Sequence, residues 1–197
     1  MSVFDPGRLP LDVAGLIALA WVTTEATTRL VARRHRAPIP ERTGKDRGSF
    51  VIIAVGMGVS VDLSFGLYLR GIGPMLPSWT LPIGASLGIA GIALRGWAIV
   101  VLGRFFSPVI RIEAGHRIVR EGPYRWVRHP SYTGALLALV GVSAALGTVP
   151  GTLLTLAVGL LVFGYRILVE ERMLAERFGE EYRAYARETW RLFPGIY

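Results

Sequence analysis

Residues 115–134 read Gly-His-Arg-Ile-Val-Arg-Glu-Gly-Pro-Tyr-Arg-Trp-Val-Arg-His-Pro-Ser-Tyr-Thr-Gly, and long apolar runs lie on either side of them. Charge in such a setting is costly and marks a functional segment. Gly115 and Gly122 let the backbone approach a ligand closely. Pro123 and Pro130 fix φ and stiffen the path. Arg128 and His129 stand at the mouth of the next apolar run, so the stretch suits a small anion or a zwitterion. Attraction to lipid phosphates accounts for Arg111, Arg117, Arg120 and Arg125, because it needs only charge. It does not account for the interleaved Gly-Pro-Tyr and Arg-His-Pro-Ser-Tyr.

Outward from this stretch, the apolar runs are about 18 to 22 residues long, enough to span a hydrocarbon core. They are expected at about Leu11 to Leu30, Phe50 to Leu69, Leu81 to Leu102, Tyr132 to Thr148 and Thr152 to Val169. The fold class is therefore an all-α integral membrane protein of about five transmembrane helices. Gly147-Thr148-Val149-Pro150-Gly151 is short enough to make the last two runs a helical hairpin, which returns Glu170 and Glu171 to the face that carries Arg128 and His129. Residues 170–190 read as a polar amphipathic helix lying on the membrane surface, with Met173, Leu174, Phe178, Tyr182 and Tyr185 three and four apart. The chain is one membrane domain on this reading, with three N-terminal spans in 1–102 and the ligand stretch, hairpin and amphipathic helix in 103–197.

Orientation follows from the distribution of basic residues. Arg33, Arg34, His35, Arg36, Arg42, Lys45 and Arg47 crowd the first loop, against Arg8 and Arg70 on the other side, which places that loop, the ligand stretch and the C-terminus in the cytoplasm and the N-terminus outside. An inner or plasma membrane is expected. The first run has neither a basic leader nor a clear cleavage site, so it is expected to be retained.

The net charge of +8 follows the ends of the apolar runs, so it reads as membrane anchoring and argues against a nucleic-acid partner. With no cysteine, thiolate metal sites and a Cys nucleophile are excluded. His116 and His129 form no ligand spacing with nearby carboxylates, and no metal is expected. No Walker loop, nucleophile elbow or His-Glu-x-x-His helix is present, which leaves hydrolase and nucleotide-triphosphatase readings without residues.

Three ionisable residues lie within the spans. Glu25 is expected to pair with Arg29 at a spacing of four and, like Asp62, to be structural. Arg95 is a functional candidate, because a buried guanidinium binds a carboxylate bidentately. Gly84, Gly88 and Gly91 suit close helix packing, within the chain or between two copies.

The run Leu102-Gly103-Arg104-Phe105-Phe106-Ser107, the stretch from His116 to Gly134, the pair Glu170-Glu171 and Phe178-Gly179-Glu180-Glu181-Tyr182 together resemble the isoprenylcysteine carboxyl methyltransferase and phospholipid methyltransferase families over the C-terminal half of the chain. The resemblance implies S-adenosylmethionine as cofactor. It implies that His116, Ile118, Val119, Gly122 and Tyr124 wrap it, and that His129, Pro130, Tyr132, Glu170 and Glu171 complete its site. Arg128 and Glu171, joined by Arg95, are the candidate catalytic residues. The expected partner is a lipophilic small molecule or lipid acting as methyl acceptor (a carboxylate, a thiol or a phospholipid amine), entering sideways from the bilayer. Two alternatives come from other classes, an NADPH-dependent membrane reductase of the sterol-reductase type and a non-catalytic membrane scaffold.

Overall fold

The computed structural model describes residues 9–34, 48–107 and 117–195. The basic loop at 35–47 and His116 lie outside the described residues, as does the side chain of Arg29. Five apolar helices make up the body: α1 (Leu9–Arg34), α2 (Ser49–Leu69), α3 (Thr80–Leu102), α4 (Pro130–Leu146) and α5 (Val149–Phe178). Four of them are long and apolar enough to cross a membrane, and α4 is a shorter apolar helix. Large apolar side chains are exposed along their outer faces, among them Leu16, Val100 and Leu161. Such a surface is stable against hydrocarbon rather than water. The protein is an integral membrane protein, as expected.

The chain breaks its helices with the residues that physics favours. Gly147 ends α4 in the left-handed region at φ 81°, and Pro150 opens α5, where its missing N–H costs nothing. The hairpin turn is fastened to the α2–α3 turn by Leu76 N–H to the Gly147 carbonyl at 2.6 Å and Val149 N–H to the Pro74 carbonyl at 3.0 Å.

α4 is the central helix, nearly all of it buried. It packs along α3 through glycines: a Cβ on Gly91 would lie 2.4 Å from the Ala138 nitrogen, and one on Gly84 2.6 Å from that of Ala145. The glycine stripe of α3 is thus used within the chain, against Gly134 and Gly141 of α4 and, at Gly88, also against Ile17 of α1. Near the same turn end, Ser64 of α2 meets Thr155 of α5 and Ser143 of α4, each at 3.0 Å, and joins the three helices by buried hydroxyls.

The C-terminal third departs from expectation at one point. α5 does not stop at Val169 but continues to Phe178, because Glu, Arg, Met, Leu and Ala are strong helix formers and neither Gly nor Pro interrupts them before Gly179, which ends the helix at φ 57°. Glu170 and Glu171 therefore sit inside a 30-residue helix of about 45 Å, longer than the ~30 Å hydrocarbon core. The amphipathic helix is the shorter α6 (Glu180–Glu188), which buries Tyr182 and Tyr185. After it the chain is extended, and residues 189–192 run parallel to 126–129. Arg128 N–H donates to the Trp190 carbonyl at 2.7 Å, His129 N–H to that of Arg191 at 3.1 Å, and Trp190 N–H to that of Trp126 at 2.9 Å.

Candidate functional site

A cavity of about 490 Å³ lies between α1 and α2, with α4 as its back wall. Its two ends differ in chemistry. One is lined by Ile53, Met57 and Val61 of α2, Leu139 and Val142 of α4, and Phe163 of α5. The other is lined by Ile118, Val119, Tyr124, His129, Tyr132, Glu170, Tyr182 and Tyr185.

The polar end is built where the ligand stretch meets α5 and α6. Gly122 turns the stretch with φ 55°, and a Cβ there would meet Val101 at 2.9 Å, so only glycine lets the loop lie on α3. Pro123 then opens a short 3₁₀ turn, Gly122–Arg125. Tyr124 is buried, and its carbonyl accepts a 2.7 Å hydrogen bond from the Tyr185 hydroxyl. Before the turn, Ile118 and Val119 belong to no helix or strand, and among the described residues their peptide groups have no hydrogen-bond partner.

Glu170 and Glu171, though adjacent, face different ways. Glu170 lines the cavity and accepts a 2.7 Å hydrogen bond from Tyr132, whose hydroxyl receives one from Arg166 Nε at 3.1 Å. Its Oε2 also lies 3.9 Å from His129 Nδ1. Glu171 turns to the C-terminal segment, where Arg128 Nε reaches it at 3.0 Å, Arg191 Nε at 3.0 and 3.2 Å, and His129 Nε2 at 3.3 Å. Arg128 in addition donates to the carbonyls of Ala186, at 2.7 Å, and Thr189. This arrangement makes Arg128 a clamp on the end of α6. His129 is buried and stacks on Tyr132, with ring centroids 5.6 Å apart. Pro130 begins α4 and is buried beneath it. Burial raises the pKa values of Tyr124, Tyr182 and Tyr185 above the usual phenol value, so all three face the site as neutral donors.

Arg95 lines the cavity, and its partner comes from far away in sequence. Nε and Nη2 engage both oxygens of Glu25 at 2.9 to 3.1 Å, and Nη1 donates to the Ser131 hydroxyl at 2.8 Å and its carbonyl at 3.2 Å. Trp21 covers the guanidinium at 5.1 Å. This contact ties α1, α3 and α4 together. Sequence reasoning missed Trp21, Ser131 and Arg191. The buried Arg166, a cation inside an apolar span, was the signal available for a fourth; Arg191 carried none.

Fold and site together define a class: a membrane-embedded helical protein with a chamber that is apolar at one end and charged at the other. Residues 84–176 match the model of the isoprenylcysteine carboxyl methyltransferase (ICMT) family. The chain is 37% identical over 116 residues to the "Probable protein-S-isoprenylcysteine O-methyltransferase" of Oryza sativa subsp. indica, covering 58% of this chain and 61% of that one. It is 37% identical over 113 residues to "Protein-S-isoprenylcysteine O-methyltransferase B" of Arabidopsis thaliana, covering 56% and 57%. It is also 30% identical over 120 residues to the "Cobalt-zinc-cadmium resistance protein CzcN" of Cupriavidus metallidurans, covering 60% and 53%. The chain thus spans about three fifths of the length of these relatives or less. Among solved structures, the eukaryotic intramembrane Ras methyltransferase ICMT superposes with a TM-score of 0.74 at 23% identity, over 99% of this chain and 70% of that one. This likeness establishes a shared fold. The family resemblance read from the motifs is borne out.

Proposed function

We propose that this protein transfers a methyl group from S-adenosylmethionine to a lipophilic acceptor. The carrying observation is the two-ended cavity: one end suits a water-soluble zwitterion and the other an apolar tail. The relatives from Oryza sativa and Arabidopsis thaliana are methyltransferases by name, which supports the reaction class. Bound S-adenosylmethionine supplies an electrophilic methyl group on a sulfonium.

The residues fit that group. The peptide groups of Ile118 and Val119 offer hydrogen bonds that no partner among the described residues takes. Glu170 offers a carboxylate to an ammonium or sulfonium, and Tyr124, Tyr132, Tyr182 and Tyr185 offer aromatic faces to a cation. His116, Gly122, His129 and Pro130 complete the binding segment in this reading. Glu171 acts as a positioning residue, holding Arg128 and His129. Arg95, beside the apolar half, orients the acceptor. Methyl transfer needs mainly alignment and exclusion of water, and the buried Tyr124, His129 and Arg166 supply a dry wall.

Acceptors reach the apolar end from the bilayer between α1 and α2, and the donor reaches the polar end from the cytoplasm, where the basic asymmetry of the loops puts it. The experiment is calorimetric binding of S-adenosylhomocysteine to detergent-purified protein, with NADPH as competitor. Micromolar binding, weakened about tenfold or more (~1.4 kcal/mol) in Glu170→Gln, is expected. Binding of NADPH alone supports a reductase, and binding of neither ligand a scaffold.

A further inference from the structure

The apolar part of the cavity has a length that its helices measure. On α2 the lining residues form two adjoining rows with a spacing of four, Ile53, Met57 and Val61 beside Ala54, Gly58 and Asp62. From Ile53 to Asp62 this face rises about 14 Å at ~1.5 Å per residue. On α4 the lining runs from Tyr132, at the polar end, to Val142, about 15 Å by the same rise. The two helices therefore give the same depth.

Beyond that depth the protein closes. Val142 packs in one cluster with Ala14, Ile17 and Leu146, and Leu11 and Tyr68 pack against the same cluster. The way onward is sideways. Among the described residues α1 and α2 do not pack along each other, although each packs on α4, and small residues, Ala18 of α1 with Ala54 and Gly58 of α2, edge the cavity there. Asp62 ends the Ala54–Gly58 row. It is exposed, lies within the apolar span of α2, and among the described residues has neither ion pair nor hydrogen bond. A tail longer than the cavity has to turn out past this carboxylate. Hydrocarbon laid over it strips away its water, and an unpaired charge resists that strongly.

We propose that Asp62 limits the length of the acceptor's apolar tail, whatever group is methylated at the other end. The limit is about eleven or twelve chain carbons, because bonds of about 1.5 Å advance about 1.25 Å each along an extended zigzag. Identifying the occupant as the acceptor rests on the methyltransferase reading. The test is calorimetric binding of decanoate, dodecanoate and hexadecanoate to the detergent-purified full-length protein, with affinities expressed per mole fraction of acid in the micelle. Decanoate and dodecanoate are expected to bind the wild type within about threefold of each other, and hexadecanoate at least about tenfold more weakly, because its last methylenes leave hydrocarbon for a carboxylate. Asp62→Leu is expected to bring hexadecanoate within about threefold of dodecanoate, and Asp62→Asn, which removes the charge but keeps a polar group, to fall between. Hexadecanoate binding as tightly as dodecanoate to the wild type, no saturable binding of any of the acids, or an unchanged drop in a folded Asp62→Leu variant overturns the proposal. If Asp62→Leu does not fold, the wild-type length profile and Asp62→Asn still decide. S-adenosylhomocysteine binding on the same samples separates the two readings: its absence from the wild type defeats the methyltransferase, whereas its presence without a length limit defeats only this inference.

Discussion

The Tyr132 hydroxyl donates a 2.7 Å hydrogen bond to Glu170 across 38 residues of sequence, and this bond holds the cavity-facing carboxylate in place. The same oxygen accepts from Arg166, a nearly fully buried cation. One hydroxyl thus ties a buried guanidinium to a cavity-facing carboxylate.

Tyr132→Phe keeps the ring stacked between His129 and Phe163 but deprives both Arg166 and Glu170 of the hydroxyl. A loss of about 1–3 kcal/mol in stability is expected, with weaker S-adenosylhomocysteine binding. Thermal unfolding in detergent and calorimetry on the same variant read the two effects.

Glu171→Ala strips a common carboxylate from Arg128, Arg191 and His129. Removing one partner of a buried ion pair costs about 3–5 kcal/mol. The segment 189–192 is the part expected to loosen, since Glu171 is the carboxylate that holds Arg191 beside Arg128 and His129. Faster proteolytic trimming near Trp190 than in the wild type is the expected result. Unchanged trimming would mean that Glu171 does not hold this segment.

Gly91→Val forces a branched side chain onto the α4 backbone, where even a Cβ would sit 2.4 Å from Ala138 N and 2.6 Å from Gly134 O. Overpacking of this kind costs about 1–3 kcal/mol or more. Gly96→Ala, at an open position of the same helix, is expected to be neutral or slightly stabilising. Melting temperatures of the two variants compare packing with mere loss of glycine.

Tyr124, Tyr182 and Tyr185 have pKa values raised chiefly by burial. Stability linked to these phenols is fully present below their ordinary pKa of about 10 and is lost as pH rises above it towards their raised folded values. Absorbance at tyrosinate wavelengths is expected to show these residues titrating together with unfolding, late and cooperatively, in alkaline solution. Independent titration near the ordinary value would contradict their burial.

The four long helices were legible because length and composition mark a segment as able to span a bilayer, and the shorter α4 because its apolar run lies between residues, Pro130 and Gly147, that mark helix ends. The Arg128-His129-Pro130 run, Tyr132 and the acidic pair were legible because charge inside an apolar chain is costly enough to be conspicuous. The end of α5 was misread at Val169, since a change from apolar to polar residues marks the edge of the membrane and not the end of a helix. That helix stops only where Gly179 stops it.

What the sequence by itself determined is the class of fold, the positions of its helices and the chemical types that gather at one end. What only the tertiary structure decided is pairing. Glu25 grips Arg95 across 70 residues, because helices packed side by side in hydrocarbon satisfy charge with whatever partner faces them; the side chain of Arg29, the partner expected four residues on, lies outside the described residues. Residues 189–192 lie beside 126–129 through peptide hydrogen bonds, which leave no side-chain signature to read. Glu170 and Glu171 are equivalent as letters, but successive residues on a helix point about 100° apart. Only the packing of α5 against α4 and α6 turns the first toward the cavity and the second toward Arg128.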